Sequence, residues 1–399
     1  MDLRSAYPFW LLEKGIINTY PSLSSDLSAD VTIIGAGISG SLLAWHLRNE
    51  KMKVVIVDKR HVGMGSTSAT TGLIQYEIDT PLTKLTKKIG QQAARRSYQL
   101  CNEAIYQLEK ICKKFPEAEF RRKPSLQFAS RKSDMAALKE EFIARRDIGI
   151  ELELLDAGQV KKHFGFEKEG ALLSGNGADI NAYALTHSLL KQSCRKNLGA
   201  FDHTNIKKIT RHKKSFTLVT DEGFTIKSRY VVIACGYESS NYIPQKVNQL
   251  HSTYAIVSEP FDTSKLWYKD AVIWETAVPY LYLRTTRDNR ILIGGMDDDF
   301  SSAYKRDSAL NYKAVRLEEK FNQLFPGRKF KTDFKWSGLF ATTKDGLPYI
   351  GSLSSKKNLF FALGFGGNGI LFSLLAARII ADELTGKKNP DAALFGFNR

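Results

Sequence analysis

The segment from Val31 to Asp58, VTIIGAGISGSLLAWHLRNEKMKVVIVD, constrains this chain more than any other. Val31–Ile34 is a short, uninterrupted apolar run, as expected of a strand buried on both faces. Gly35, Gly37 and Gly40 follow as G-x-G-x-x-G. A helical pattern then runs through Leu42, Leu43, Trp45 and Leu47, and a second apolar run, Val54–Val57, ends at Asp58. This is the order of a βαβ unit that holds a dinucleotide. Gly35 makes the tight turn, Gly37 lets the backbone approach a pyrophosphate, and Gly40 lets helix pack on strand. The helix start offers N–H groups and a positive dipole end to phosphates. Asp58, about 20 residues on, stands where an acid accepts hydrogen bonds from ribose hydroxyls.

A chain of 399 residues is too long for one ordinary core, so two domains are expected. No stretch reaches the roughly 18 uncharged apolar residues of a membrane span. The nearest, Gly369–Leu384, is cut by Arg378, Asp382 and Glu383, and the N-terminus lacks the pattern of a secretory signal. Cys101, Cys112, Cys194 and Cys235 form no C-x-x-C pair, which suits a cytoplasmic protein and argues against a metal centre. Cys235, in the run VVIACG, reads as a small packing residue. The net charge of +16 is spread over scattered clusters such as Arg121–Lys123, Lys161–Lys162 and Arg211–Lys214. They lack the interleaved aromatics that stack bases. A solvated surface is the plainer reading, and steering of an anionic substrate the sharper one.

Along the chain, residues 1–29 read as a leader. Residues 30–80, 150–250 and 335–399 are expected to form a discontinuous nucleotide domain, with a substrate domain from 81–149 and 251–334. The fold class is therefore α/β: a Rossmann-type domain with a parallel sheet and an inserted α+β domain built on an antiparallel sheet. Leu82–Lys114 carries one long helical pattern. Ser215–Val219 and Phe224–Lys227 flank Asp221-Glu222-Gly223 as a hairpin. Tyr230–Ala234 reads as a strand returning to the nucleotide sheet.

Two segments favour FAD over NAD. Just past Asp58, the run from Gly63 to Gly72, GMGSTSATTG, is crowded with small and hydroxylated residues. Such a run can approach a second phosphate and a ribityl chain, which a simple NAD domain does not require. The other is Gly364-Phe365-Gly366-Gly367-Asn368-Gly369, between a strand and a helix. It is read as a helix start whose dipole faces the flavin ring, where reduced flavin carries negative charge.

With these motifs in view, the chain resembles the D-amino-acid oxidase superfamily of FAD-dependent oxidoreductases. It is most similar to the branch of glycine, sarcosine and glutamylputrescine oxidases. The resemblance runs from about Asp30 to the end. It rests on DVTIIGAGISG, GSTSATTG, YVVIACGYES, YLRTTRDNRILIGG, WSGLFATTKDGLPYIG and NLFFALGFGGNGI. It implies oxidation of a C–N bond by hydride transfer to flavin N5, followed by imine hydrolysis. It implies flavin contacts at Gly35, Ala36, Gly37, Ile38, Ser39, Gly40, Asp58, Lys59, Gly65, Ser66, Thr67, Ala69, Thr70 and Thr71. Ile206, Ala234, Cys235 and Gly236 match positions at the adenosine end, and Gly338, Gly366, Gly367, Asn368, Gly369 and Ile370 match the ring side. Tyr282 matches a tyrosine that lines the substrate cavity. On a regular strand, Tyr280 and Arg284 share its face. A core aromatic and a structural ion pair are the competing readings of those two.

The pattern also departs from the family. The two arginines that hold a substrate carboxylate in glycine oxidase and sarcosine oxidase are replaced here by Phe340 and Gln75. Glu77 and Asp79 stand nearby; exposed acids on an ordinary strand end are the plainer reading, and a site better suited to a cationic amine than to a zwitterion the sharper one. The lysine that speeds oxygen reaction in sarcosine oxidases is replaced by Leu292. The positions of covalent flavin attachment hold Ala69 and Gly338, so noncovalent FAD is expected. The expected partners are a small amine or amino-acid-derived substrate and O2 or another electron acceptor. Two alternatives remain: a flavoprotein dehydrogenase that passes electrons to a partner protein or quinone, and a flavoprotein of the tRNA-modification type. The absence of a companion domain and of a stacking patch argues against a nucleic-acid partner.

Overall fold

The computed structural model describes residues 1–243, 245–262, 267–353, 357–364 and 366–399. Phe365, inside the second glycine motif, lies outside the described residues.

Two sheets organise the chain. In the first, the order is Tyr349–Ser352, Leu359–Leu363, Thr225–Ile233, Leu27–Ile34, Val54–Val57 and Leu198–Phe201. The last five run parallel, and Tyr349–Ser352 is antiparallel to its neighbour. The hairpin Ile206–Arg211/Phe216–Thr220 joins it through Thr225–Ile233. The all-apolar runs are central because helices cover them. Ile38–Leu47, Ala182–Cys194, Gln91–Cys112 and Gly369–Leu384 contribute Leu42, Leu185, Leu108 and Leu374 to one continuous core.

The second sheet has nine strands, ordered Thr332–Thr342, Gln249–Ser258, Ile291–Asp298, Tyr282–Thr285, Val272–Glu275, Arg121–Phe128, Gly170–Asp179 and Leu73–Gln75, with Leu152–Asp156 beside Gly170–Asp179. Its pairings are antiparallel except that of Val272–Glu275 with Arg121–Phe128. Helix Ala303–Leu324 packs on one face through Ala314, Leu317 and Phe321.

The sheets divide the chain differently from the sequence expectation. Leu152–Asp156 and Gly170–Asp179, placed by sequence in the nucleotide domain, belong to the second sheet. Conversely, Gln91–Cys112, placed in the substrate domain, shares the nucleotide core through Tyr98, Leu100 and Leu108. The single long helix is two, Leu82–Ile89 and Gln91–Cys112. They are broken at Gly90, whose φ of +86° suits glycine and ends the first helix. The leader packs into the body of the protein. Helix Phe9–Lys14 buries Phe9 and Trp10 against Leu292 and Trp336, and Arg4 bridges Gly338 on the edge strand of the second sheet. No helix among the described residues is long and apolar enough to cross a membrane.

Candidate functional site

A long cleft runs between the carboxyl ends of the parallel strands and the face of the second sheet, and both contribute to its wall. Its floor is the glycine turn. Gly35 has a φ of +107°, and a Cβ there would lie 2.6 Å from the Ala234 carbonyl oxygen. A Cβ on Gly40 would lie 2.0 Å from the Gly35 oxygen. Gly35 thus lets the turn pack against the end of the neighbouring strand, and Gly40 lets the helix close on the turn itself. Gly37 faces the cleft instead, and its nearest neighbour is Thr67 Oγ1.

At the adenosine end, the Asp58 carboxylate accepts the Ala36 N–H at 2.8 Å and the Arg60 N–H at 2.9 Å. Burial pushes this carboxyl up to about 6, against the pull of those amides. Lys59 and Arg60 both bond Glu238, at 2.7 Å and 3.2 Å. Ile206, Ala234, Cys235 and Gly236 complete this end. In the middle, the Ile38 N–H donates to Thr67 Oγ1 at 3.0 Å, and Ser39 Oγ meets Ser373 Oγ at 2.7 Å. Gly65, Ser66, Ala69, Thr70 and Thr71 line the wall here.

At the far end stand Gly338 and Phe340 of strand Thr332–Thr342, with Gly366, Gly367, Gly369 and Ile370 of the second glycine motif. The Asn368 side chain lies behind them and donates from Nδ2 to the Gln75 carbonyl at 2.8 Å. The Gly367 N–H donates to Asp79 Oδ2 at 2.8 Å. That amide was expected to face a flavin ring, and the protein's own carboxylate takes it.

Of the expected cofactor contacts, Ala36, Gly40 and Asn368 stand off the wall and act through the backbone and packing behind it. The others line the cleft. Among the expected substrate residues, Tyr282, Gln75 and Phe340 line it, and so does Tyr280. Arg284 and Glu77 do not. Arg284 shares the sheet face of Tyr282, but it pairs with Asp179 at 3.2 Å, donates to the Thr71 carbonyl at 2.6 Å and lies under the Trp10 ring. It is the structural ion pair of the competing reading. Glu77 is buried and accepts from Ser125 Oγ at 3.1 Å, with Arg145 at 4.0 Å. Asp79 lies just behind the wall, where it accepts the Tyr280 hydroxyl at 3.1 Å.

Sequence reasoning missed Tyr237, Glu238, Thr253 and Asp297, all on the wall. Glu238 sits three residues past Cys235, in the turn after a central parallel strand, where ligand contacts concentrate. Asp297 follows Gly294-Gly295 near the end of an interior strand whose bulge gives no sequence signature.

The donor set fits FAD. The cleft is elongated, with a nucleotide turn at one end and an aromatic chamber at the other. The buried Ser66 Oγ has no hydrogen-bond partner among the described residues and belongs to the run read as meeting a phosphate. Comparison with known proteins agrees. The family profile described as FAD dependent oxidoreductase matches residues 30–383. The gamma-glutamylputrescine oxidoreductase of Escherichia coli is 24% identical, over 92% of this chain and 86% of that protein. The glycine oxidase of Geobacillus kaustophilus is 24% identical, over 93% and 97%. The crystal structure of that glycine oxidase superposes with a TM-score of 0.78 at 21% identity, covering 93% of this chain and 99% of the other.

The fold and cleft thus define a dinucleotide-binding flavoenzyme. The chain belongs to the FAD dependent oxidoreductase family, and its cofactor is FAD.

Proposed function

We propose that the protein oxidises a C–N bond of an amine, with the cationic amines favoured over simple α-amino acids. The observation that carries this reading is the charge of the wall. Its only cations among the described residues are Lys59 and Arg60, and both are bonded to Glu238 at the adenosine end. A carboxylate at the ring end would meet Phe340 and Gln75, not a guanidinium. This favours the kind of substrate that the name of gamma-glutamylputrescine oxidoreductase implies over the amino acid of glycine oxidase.

Bound FAD supplies a two-electron acceptor for the substrate C–H bond. The chain supplies position and dryness. Gly338, Phe340 and Ile370 give the far end apolar and backbone surfaces against which a ring is held, and Tyr280 and Tyr282 narrow the space beside them. Excluding water there strengthens every charge interaction and orients the reacting carbon. Anaerobic addition of amines and amino acids to purified protein, read as loss of flavin absorbance, tests this reading.

Leu292 favours a dehydrogenase over an oxidase. It is wholly buried and packs with Phe9 and Trp336, so no ammonium stands at that position to stabilise reduced oxygen. Turnover with oxygen against turnover with an artificial acceptor separates the two.

A further inference from the structure

The ring-end chamber holds a carboxylate that its fold has gone out of its way to aim. Strand Ile291–Asp298 pairs Gly295 with Tyr254 and Asp298 with Ser252, so Thr253 alone stands opposite Met296 and Asp297. This two-against-one count is a β-bulge, and it places Met296 at a φ of +59°. Its effect is to split two adjacent acids. Asp298 turns away from the chamber and takes Lys313 at 2.6 Å and the Tyr254 hydroxyl at 2.9 Å. Asp297 turns inward and lines the cleft, and its Oδ1 is buried with no hydrogen-bond partner among the described residues.

Around Asp297, the Thr253 hydroxyl, His251 and Lys313 all favour the charged carboxylate, but together they offset less than burial costs it. Lys313 is held by Asp298, and His251 is engaged by Asp299 at 2.8 Å and Thr342 at 2.9 Å. The chamber instead presents Tyr237, Tyr280 and Tyr282, with Asp79 behind Tyr280. Aromatic faces and a desolvated carboxylate together attract an ammonium group. Burial pushes the Asp297 carboxyl up to about 6, with Asp79 adding to that rise, so an arriving positive charge relieves an existing cost.

A nitrogen that stays protonated there is not the reacting one. Hydride leaves a carbon only when the adjacent nitrogen is neutral and its lone pair free. An ammonium held by Asp297 has no free lone pair. The carboxylate therefore fits a second nitrogen on the same substrate. We propose that Asp297, walled by Tyr237, Tyr280 and Tyr282, is a subsite for a second, non-reacting ammonium, and that the substrate class is an alkyl diamine or polyamine. This rests on the C–N oxidation reading above and adds which amine is taken.

The test uses FAD-loaded enzyme under anaerobic conditions with four probes: 1,4-diaminobutane, butylamine, 4-aminobutyrate and glycine. The proposal predicts that 1,4-diaminobutane reduces the flavin at least tenfold more efficiently than butylamine, and that the two carboxylates are poorer still. Asp297→Asn should lower the efficiency with 1,4-diaminobutane by tenfold or more, and by clearly more than it lowers that with butylamine. Calorimetric binding of 1,4-diaminobutane should weaken in parallel, and an unchanged flavin content of the variant would show that its site is intact. If butylamine matches 1,4-diaminobutane in the wild-type enzyme, the subsite is wrong and C–N oxidation stands. If Asp297→Asn retains full diamine efficiency, the residue assignment is wrong. If no amine or amino acid reduces the bound flavin, both readings fall.

Discussion

The Arg284 guanidinium lies 3.2 Å from the Asp179 carboxylate, and the two side chains are 3% and 1% exposed. Lys123 reaches the same carboxylate at 2.8 Å, and Arg121 joins it. One buried acid thus binds together strands Arg121–Phe128, Gly170–Asp179 and Tyr282–Thr285. Removing one partner of a buried pair typically costs about 3–5 kcal/mol, so Asp179→Ala is expected to lower Tm sharply or prevent folding. Burial alone would raise this carboxyl, yet Arg284, Lys123 and Arg121 hold it below the usual carboxylate range. Its contribution is therefore present above the ordinary carboxylate pKa and is lost as pH falls through the depressed folded value. Acid unfolding of the wild type should be steeper than that of an Asp179→Asn variant.

The same pair predicts what Arg284 does not do. If it held a substrate carboxylate, its loss would raise KM selectively for amino acids. As a structural group, Arg284→Gln should lower thermal stability and leave the ranking of substrates unchanged. Efficiency ratios between butylamine and glycine in the two proteins check this.

Gly37 tests the nucleotide turn. Its Cα faces the cleft, and a Cβ there would meet only the Thr67 hydroxyl, at 2.9 Å. Gly37→Val should therefore fold and purify colourless, because the backbone can no longer approach the pyrophosphate. Gly40→Ala should fail differently, by unfolding, since its Cβ would lie 2.0 Å from the Gly35 oxygen. Circular dichroism and bound-flavin absorbance together distinguish the two.

The nucleotide half was legible because its signals are local. A βαβ unit announces itself within Val31–Asp58, and the strands Leu27–Ile34, Val54–Val57 and Leu359–Leu363 fall where apolar runs stand. The second sheet was less legible. Its long strands Gly170–Asp179, Gln249–Ser258 and Thr332–Thr342 carry glycine, serine and charge in place of clean alternation. Their stability comes from neighbours distant in sequence. The cofactor wall followed from motifs and the family resemblance, and Tyr282, Gln75 and Phe340 from positions matched to that family. Strand alternation left Arg284 open between cavity and ion pair because it gives the face of a residue, not what covers that face, and Glu77 stood out only for its nearness in sequence to Gln75. Trp10 covers Arg284, and Ser125 and Arg145 enclose Glu77.

Simple α-amino acids should be poor substrates. A charge-assisted hydrogen bond to a carboxylate contributes about 1.5–3 kcal/mol, roughly tenfold to hundredfold in efficiency, and Phe340 and Gln75 supply no charge for one. Steady-state kinetics with glycine, sarcosine and D-alanine check this. Efficient oxidation of any of them would place a cation at the ring end that the wall lacks.

The flavin is expected to be noncovalent. The two positions where relatives attach it hold Ala69 and Gly338, which are neighbours on the cleft wall, a Gly338 Cβ lying in contact with the Ala69 Cβ at 3.6 Å. Neither can bond a flavin methyl group. Acid precipitation should leave a yellow supernatant over a white pellet, with no flavin mass added to the protein.

The most direct test of the central claim is the visible spectrum of the purified enzyme before and after anaerobic addition of 1,4-diaminobutane. A flavin spectrum that bleaches on addition, and returns when an electron acceptor is admitted, is the predicted result. A flavin spectrum unmoved by this diamine and by every other amine offered would contradict it.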